Sequence, residues 1–520
     1  MHRNMKTDNN ILPLTGEQPS YYAERVGCLY ATYSIQKDKK DKGQFFTPIS
    51  IAKFMGSMAA LCDKEIVRIL DPGCGVAILS CAIIEHLVLR SKGIREIILD
   101  LYDTDADLLP FSRLVLDYLS EWLKSRSIIL CVSVRQDDFI LANHSYINGG
   151  TLFNGNDILY DYIIANPPYF KLPKSDVRTQ VCANIVDGQT NIYALFMAIC
   201  SKMLKDDGEM IFITPRSFAS GRYFQSFRNY LFENVKLDFL HLFKTRKDTF
   251  AKDDVLQELV ISKYVHDNRK KITVSHSHGS RDIDCAVQQK YPESMLINLA
   301  TDDKVIFIPT DEFGNNILNL FRSWKGNMGK YGIKISTGPV VAFRISDYIT
   351  EEEMENTVPL YWMHNVVKML VDHPVKKKNK GQYIKVDPAS IHTLLPNKNY
   401  ILLRRMSSKD DNSRLVAAPY FGNMVKYKYI GIENKLNYIY RSKDHLRRDE
   451  TIGLTALLNS EIFDVYFRLF NGNINVSATE LRAIPLPPLE DIREIGNRVI
   501  LRNNYSLDYI NKLVNEYFNI

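Results

Sequence analysis

No stretch of the sequence approaches the roughly 18 consecutive apolar residues that a membrane-crossing helix needs, and Met1-His-Arg-Asn-Met-Lys-Thr-Asp-Asn-Asn10 holds no apolar signal core. Neither a membrane span nor secretion is expected, and the expected compartment is the cytoplasm. Cysteine is sparse: eight residues, at 28, 62, 74, 81, 131, 182, 200 and 285, with no C-x-x-C pair. That spacing fits neither a zinc framework nor a disulfide scaffold. Internal repeats and low-complexity tracts are absent. His276-Ser-His-Gly-Ser-Arg281 has no partners at metal-ligand spacing and reads as a loop, so no metal is expected. No Lys-Ser/Thr pair follows the glycines at 73 and 75, which excludes a phosphate loop of the P-loop kind.

What remains is ordinary in amount and informative in placement. Hydrophobic residues make up 45% of the chain and charged residues 24%, and 520 residues exceed the usual single-domain size, so two domains with a connector are expected. The net charge is +6, but between His364 and Arg448 there are 18 Lys/Arg against 6 Asp/Glu. A neutral-to-acidic body carrying one strongly basic segment suggests a polyanion met by the C-terminal half.

The stretch that organises the chain is Asp161-Tyr-Ile-Ile-Ala-Asn-Pro-Pro-Tyr-Phe170, an apolar strand running into a tight turn. Open α/β sheets place ligands at such carboxyl ends of strands. Pro167 and Pro168 have no N–H and a fixed φ, so the turn is a rigid set of acceptors. The Asn166 side-chain oxygen beside the Pro167 carbonyl can take both hydrogens of a planar amino group and so expose the nitrogen lone pair. Tyr169 can lie on the ring that carries that group.

Strands read at Ile66–Leu70, Glu96–Tyr102 and Ile128–Val134 alternate with helical patterns, the rhythm of a doubly wound sheet. After the first strand, Asp71-Pro-Gly-Cys-Gly-Val-Ala-Ile-Leu79 turns into a helix. Gly73 and Gly75 let the backbone approach a ligand, and Asp71 can hold a ligand ammonium. The second strand ends at Asp103-Thr-Asp105, where an acidic side chain can accept both ribose hydroxyls; Asp103 is assigned, with Asp105 the competitor. Ahead of these, Gly43-Gln-Phe-Phe-Thr-Pro48 leads into the apolar stripe Ile51, Phe54, Met55, Met58, which predicts a helix with Thr47 as N-cap and Pro48 in its first position. Its free N–H groups suit an anion. Further on, Ile192 to Met203 reads as a helix ended by Asp207-Gly208, Glu209–Pro215 as a strand, Arg216–Phe232 as a helix and Val235–Leu242 as a strand. Glu258–Ser262 then suits an antiparallel edge hairpin. Ser336-Thr-Gly-Pro339 reads as the entrance to the second domain. Within the basic segment, Lys376-Lys-Lys378, Arg404, Arg405, Lys426 and Lys428 are interleaved with aromatics, as suits a surface that neutralises phosphates and touches bases.

These segments together resemble the gamma-class N6-adenine DNA methyltransferases, the TaqI-like type II restriction-modification methylase family. Asn166-Pro-Pro-Tyr169 resembles the family's catalytic motif and Asp71-Pro-Gly-Cys-Gly75 its first cofactor motif, with Ala77 where many members have glycine. The resemblance implies S-adenosylmethionine as cofactor. Thr47 would then meet the methionine carboxylate, Asp138 the amino group of the cofactor's adenine, and Phe139 the face of that ring. Asn166 counts among the cofactor contacts as well. Asn191 and Tyr193 match the family's Asn-Leu-Tyr stretch. Phe250 would stack on the target base from the face opposite Tyr169. Leu457-Leu-Asn-Ser460, Asn471-Gly-Asn-Ile-Asn475 and Leu481-Arg-Ala-Ile-Pro-Leu-Pro-Pro488 resemble the close of the target-recognition domain.

The implied fold is a Rossmann-like doubly wound α/β sheet followed by a mixed α/β target-recognition domain. Its parts are an N-terminal arm at 1–42, a catalytic domain at 43–270, a connector at 271–335 and a recognition domain at 336–520. The implied activity is methylation of a flipped-out adenine in double-stranded DNA. A cognate restriction endonuclease acting separately is a candidate partner. Rival readings are an RNA adenine or protein glutamine methyltransferase, and a DNA specificity subunit without catalysis. No spare domain for a fused nuclease is found.

Overall fold

The computed structural model describes residues 12–33, 47–148, 158–186, 188–244, 258–267, 270–299, 301–407, 411–472 and 475–520. It divides into two units, Met1–Ile308 and Pro309–Ile520.

In the first unit the apolar runs become strands whose burial is most complete at the centre of the sheet, as where helices pack on its faces. The strands are Ile66–Pro72 (β1), Glu96–Tyr102 (β2), Ile129–Arg135 (β3), Tyr160–Ala165 (β4), Leu204–Pro215 (β5), Lys236–Phe243 (β6), Leu259–Val265 (β7), Lys271–Ser277 (β8) and Val287–Pro292 (β9). They form one sheet in the order β9-β8-β6-β7-β5-β4-β1-β2-β3. β1 pairs in parallel with both β2 and β4, so the strand order reverses there. At such a switch point a crevice opens beyond the carboxyl ends of the strands. The glycine turn after β1 and the Asn-Pro-Pro-Tyr turn after β4 both border it. The principal helices are Pro19–Tyr33 (α1), Ile49–Ser57 (α2), Ile78–Arg90 (α3), Leu109–Lys124 (α4), Ile192–Lys202 (α5) and Gln225–Asn234 (α6).

Several sequence expectations are corrected. β7 is not an edge strand: it pairs antiparallel with β5 on one side and β6 on the other, and all seven of its residues are buried. The polar edge is β9 instead. Asp207-Gly208 does not lie between a helix and a strand. β5 begins at Leu204 and runs through both residues, with the irregularity taken up where Tyr160 pairs with Leu204 and Tyr162 with Glu209. Residues 216–232 are not one helix but two 3-10 turns, Arg216–Ala219 and Arg222–Phe224, before α6, and Arg216 at their start lies in a buried ion pair with Glu258. His276 and Ser277 belong to β8 rather than to a loop.

The N-terminal segment, which the sequence leaves open between an arm and a helix, contains α1, whose Tyr22, Val26 and Tyr30, four residues apart, are buried in the core of the first unit. The segment expected to be a connector, 271–335, is shared out. β8 and β9 extend the large sheet, while the helix Glu312–Ser323 and the strand Ile333–Thr337 belong to the second unit.

The second unit is mixed α/β. A four-stranded sheet contains Ile333–Thr337, Leu436–Arg441, Tyr400–Arg404 and Ala417–Tyr420. A five-stranded sheet contains Ile349–Thr350, Tyr383–Lys385, Thr357–Tyr361, Tyr429–Ile432 and Leu394–Pro396. The helices Arg448–Asn459 and Leu489–Arg502 cross backbone to backbone. A Cβ at Gly453 would lie 1.8 Å from the Ile492 carbonyl oxygen and one at Gly496 2.0 Å from that of Asp449, so no side chain fits at either glycine. Among the described residues no helix is long and apolar enough to cross a membrane.

Candidate active site

The glycine turn is built by positive φ. Gly73 and Gly75 have φ of 110° and 54°, the left-handed region that glycine enters without a Cβ penalty. The N–H groups of Gly73 and Cys74 both donate to the Tyr102 carbonyl, at 2.8 and 2.9 Å, and Ser112 Oγ donates to the Gly75 carbonyl at 2.6 Å. Ala77 also has a positive φ, 63°. Its departure from the family's glycine therefore falls on a left-handed residue, where a Cβ costs about 1–2 kcal/mol, rather than on helix packing alone.

Asp71, at the end of β1, is fully buried. Its Oδ2 accepts from Ser80 Oγ at 2.7 Å, while its Oδ1 is buried with no hydrogen-bond partner. Burial pushes the carboxyl up to about 7, against the opposing pull of Ser80. A cation brought to Oδ1 would satisfy the orphaned oxygen and favour the charged carboxylate.

Asp103, assigned from the sequence, and its competitor Asp105 have different surroundings in the structure. Asp103 Oδ2 accepts from Gly75 N at 2.9 Å, which places Asp103 on the glycine turn across a separation of 28 residues. Its Oδ1 accepts from Asp105 N at 2.9 Å. Asp105 is buried and turned away, accepting from the Tyr30 hydroxyl at 2.9 Å. Asp138 caps the short helix Phe139–Asn143, with Oδ1 accepting from Ile140 N and Leu141 N at 2.9 and 3.1 Å, and Oδ2 lies 3.5 Å from an Arg178 guanidinium nitrogen. Phe139 is buried, with ring centroids 5.2 Å from Tyr102 and 5.0 Å from Phe196. Phe196 in turn is the nearest neighbour a Cβ at Gly73 would meet, at 3.8 Å. The residues expected around the cofactor's adenine thus join the glycine turn through one aromatic contact.

At the other strand end, Asn166 and Pro168 are half-buried while Pro167 and Tyr169 are buried. Asn166 Nδ2 donates to Thr47 Oγ1 at 3.0 Å, joining segments 119 residues apart. The Tyr169 hydroxyl donates to Asn166 Oδ1 and also lies 3.0 Å from the Ile213 carbonyl. Burial holds that hydroxyl's pKa well above its usual value, so it stays a donor. The Tyr169 ring is 7% exposed and stands edge-on to Tyr193 at 6.3 Å, so its face is not presented openly for stacking. Tyr193 is fixed by its hydroxyl to Ser217 Oγ at 2.9 Å, and Asn191 starts α5 without a side-chain cap. Phe250 lies outside the described residues.

Thr47 is not the N-cap of α2. Pro48 holds that position, Thr47 turns its hydroxyl to Asn166, and the Ile49 N–H is met by Glu24 Oε1 at 3.2 Å. One N–H of this helix start is therefore met by a side chain of α1. Both Glu24 and Tyr30 escaped sequence reading. The Tyr22, Val26, Tyr30 stripe was the available sign of a packed helix, but nothing local shows what its polar atoms reach.

In the second unit the expected DNA contacts divide. Lys376, Lys377 and Lys378 are exposed on a turn closed by a bridge between Lys377 and Lys380. The turn's base is buried: Gln382 Oε1 accepts from Val375 N at 3.0 Å and Asn365 Nδ2 at 3.1 Å, and Trp362 Nε1 donates to the Gly381 carbonyl at 2.7 Å. Lys426 and Lys428 are exposed on a loop whose Gly422 and Tyr427 carbonyls accept from Asn397 Nδ2, each at 2.8 Å. Arg404 and Arg405 are instead half-buried and donate to the backbone carbonyls of Val366 (2.7 Å) and Asn434 (3.1 Å). Among the described residues no group of His, Cys, Asp and Glu is arranged to hold a metal ion.

Comparison with known proteins follows the same lines. A family model described as Eco57I restriction-modification methylase matches residues 118–250. The type II methyltransferase M.BsuBI of Bacillus subtilis is 31% identical over 466 residues, 89% of this chain and 91% of that protein. M.PstI of Providencia stuartii, also a type II methyltransferase, is 30% identical over 459 residues, 88% and 89% of the two chains. Among solved structures, the type IIL restriction-modification enzyme MmeI in complex with DNA superposes with a TM-score of 0.53 at 10% identity. That match covers 96% of this chain and 74% of MmeI, a likeness of fold.

Proposed function

The chain belongs to the family of type II methyltransferases of restriction-modification systems, and from that premise we propose that it is a site-specific DNA adenine N6-methyltransferase with S-adenosylmethionine as methyl donor, the modification enzyme of its system. The observation that carries this reading is the Asn166 carboxamide, held at the carboxyl end of β4 with its oxygen directed by Tyr169 and its nitrogen by Thr47.

The chain's residues fit the donor. Asp71, with its orphaned buried oxygen, suits the ammonium of the methionine part, and Thr47 its carboxylate. Asp103, on the glycine turn, suits the ribose hydroxyls, and Asp138 and Phe139 the adenine. Bound there, S-adenosylmethionine supplies an electrophilic methyl group. The protein's part is to prepare the nucleophile. Asn166 Oδ1 and the Pro167 carbonyl accept the two hydrogens of the target amino group, which draws its nitrogen toward tetrahedral geometry and exposes a lone pair. Tyr169, held protonated by burial, acts as a donor to Asn166 and not as a base.

An adenine amino group is paired inside duplex DNA, so the base must leave the stack at a cost of a few kcal/mol. Stacking against an aromatic side chain offsets about 1–3 kcal/mol of that. Tyr169 contributes to this once its ring face is uncovered, and Phe250 is the proposed partner from the opposite side. Lys376–Lys378, Lys426 and Lys428 would neutralise DNA phosphates. Arg404 and Arg405, committed in part to backbone carbonyls, would contribute less.

The test is transfer of a labelled methyl group from S-adenosylmethionine to duplex DNA, RNA and protein in parallel, with nucleoside analysis of the product. N6-methyladenine in DNA is expected. Label confined to RNA, protein or cytosine would overturn the reading. Sequencing DNA from an expressing host with modified-base detection then gives the site recognised.

A further inference from the structure

We propose that Thr47 is a positioning residue for the methyl-accepting step, acting through Asn166, beyond the cofactor contact that resemblance assigns to it. The inference rests on the reading of Asn166 Oδ1 as acceptor for the target amino group. Oδ1 can accept a hydrogen of that amino group only where the carboxamide is held at the place the group arrives, and Asn166 is only half-buried, so its hydrogen-bond partners must do the holding.

Two hydroxyls hold the carboxamide, one at each of its polar atoms. The Tyr169 hydroxyl serves Oδ1, and its other neighbour, the Ile213 carbonyl 3.0 Å away, can only accept, so the hydroxyl hydrogen lies between two acceptors. Thr47 Oγ1 receives Nδ2 at 3.0 Å from the other side. Thr47 is suited to the task because it is 6% exposed and leads directly into α2, whose Ile51, Ala52 and Met55 are buried in the core. The start of that helix is tied by Ile49 N to Glu24 and by Ala52 N to the Pro48 carbonyl at 3.0 Å. A hydroxyl on so firm a base holds its partner in place before substrate arrives.

The experiment compares Thr47→Val, which keeps the shape and removes the hydroxyl, with Thr47→Ser, which keeps the hydroxyl, both in the full chain. The readouts are the single-turnover methylation rate of duplex DNA at saturating S-adenosylmethionine and the Kd for S-adenosylmethionine alone. Thr47→Val is expected to lower the rate at saturating S-adenosylmethionine by about 10-fold to 100-fold, the scale of a misplaced reacting group, a loss that saturation separates from any rise in the cofactor Kd. Thr47→Ser is expected to recover most of the rate. A Thr47→Val enzyme with unchanged rate and weakened cofactor binding would overturn the proposal, and so would a Thr47→Ser enzyme as slow as Thr47→Val. If Thr47→Val melts before the assay temperature, Thr47→Ala is judged by the same two readouts. Failure of the underlying functional reading shows separately, as an unmodified wild-type enzyme that places no N6-methyladenine in DNA.

Discussion

The two units treat their polar residues in opposite ways. In the first, the candidate site residues hold one another: Asp103 takes the Gly75 N–H, Asp105 takes the Tyr30 hydroxyl, and Asn166 lies between Thr47 and Tyr169. In the second, Lys376–Lys378, Lys426 and Lys428 stand exposed on turns whose buried bases do the holding. The difference follows from what each region is proposed to do. Presenting a lone pair depends on atoms placed to a fraction of an ångström, whereas meeting phosphates depends on charge that can adjust. Substitutions should therefore act steeply and locally in the first unit, and gradually and with salt dependence in the second.

The sharpest test of that contrast is Asn166→Ala. Methyl transfer is expected to fall by at least about 10³-fold, the scale of losing a preorganised polar contact to the reacting group, with cofactor and DNA binding retained in titrations. Turnover near wild type would remove the distinction between the units.

Next in size is a pH effect at Asp71. Its buried carboxyl is raised to about 7 from an ordinary value near 3.8. In that window the folded state holds a proton that the unfolded state has released. Stability of the ligand-free protein is thus diminished as pH rises from about 4 to about 7, by an amount on the order of a few kcal/mol. Asp71→Asn should flatten that part of the profile in denaturant titrations at several pH values. An identical slope in both proteins would mean the carboxyl is not desolvated as its burial indicates.

In the second unit, replacing Lys376, Lys377 and Lys378 together by Glu is expected to weaken DNA binding by about 10-fold to 100-fold at low salt. The slope of log affinity against log salt should fall by up to about 3. The single-turnover rate on saturated DNA should change little. A rate loss with an intact salt slope would show these lysines acting by geometry, as the first unit does.

The smallest effect expected is that of Tyr30→Phe, which removes the hydrogen bond to buried Asp105. About 1–3 kcal/mol of stability should be lost, together with a few-fold weakening of S-adenosylmethionine binding, measured by melting and by titration. Unchanged cofactor binding would separate α1 from the ribose-side loop.

Much of this was legible in the residues themselves. β2 was read with its observed ends, Glu96 and Tyr102, and Asp71-Pro-Gly-Cys-Gly75 and Asn166-Pro-Pro-Tyr169 carry turn chemistry in residues next to one another. Other errors have a common cause. An apolar run does not say how many neighbours it will have, so the β6–β7 hairpin reads as an edge and lies inside the sheet. The pattern of a helix cap is local, while the partner of Thr47 is 119 residues away. Charge in a sequence does not show which donors the backbone claims, so Arg404 and Arg405 read like the exposed lysines.

What the sequence by itself determined is the set of rigid turns and the order in which strands present them, since proline, glycine and short apolar runs act over neighbouring residues. What only the tertiary structure decided is which oxygen faces which hydrogen: Asp103 on the Gly75 N–H and Asp105 on the Tyr30 hydroxyl, Thr47 on Asn166 rather than on its own helix, and α1 within the core. Those choices arise from contacts between distant segments, and burial makes each of them costly to leave unmet.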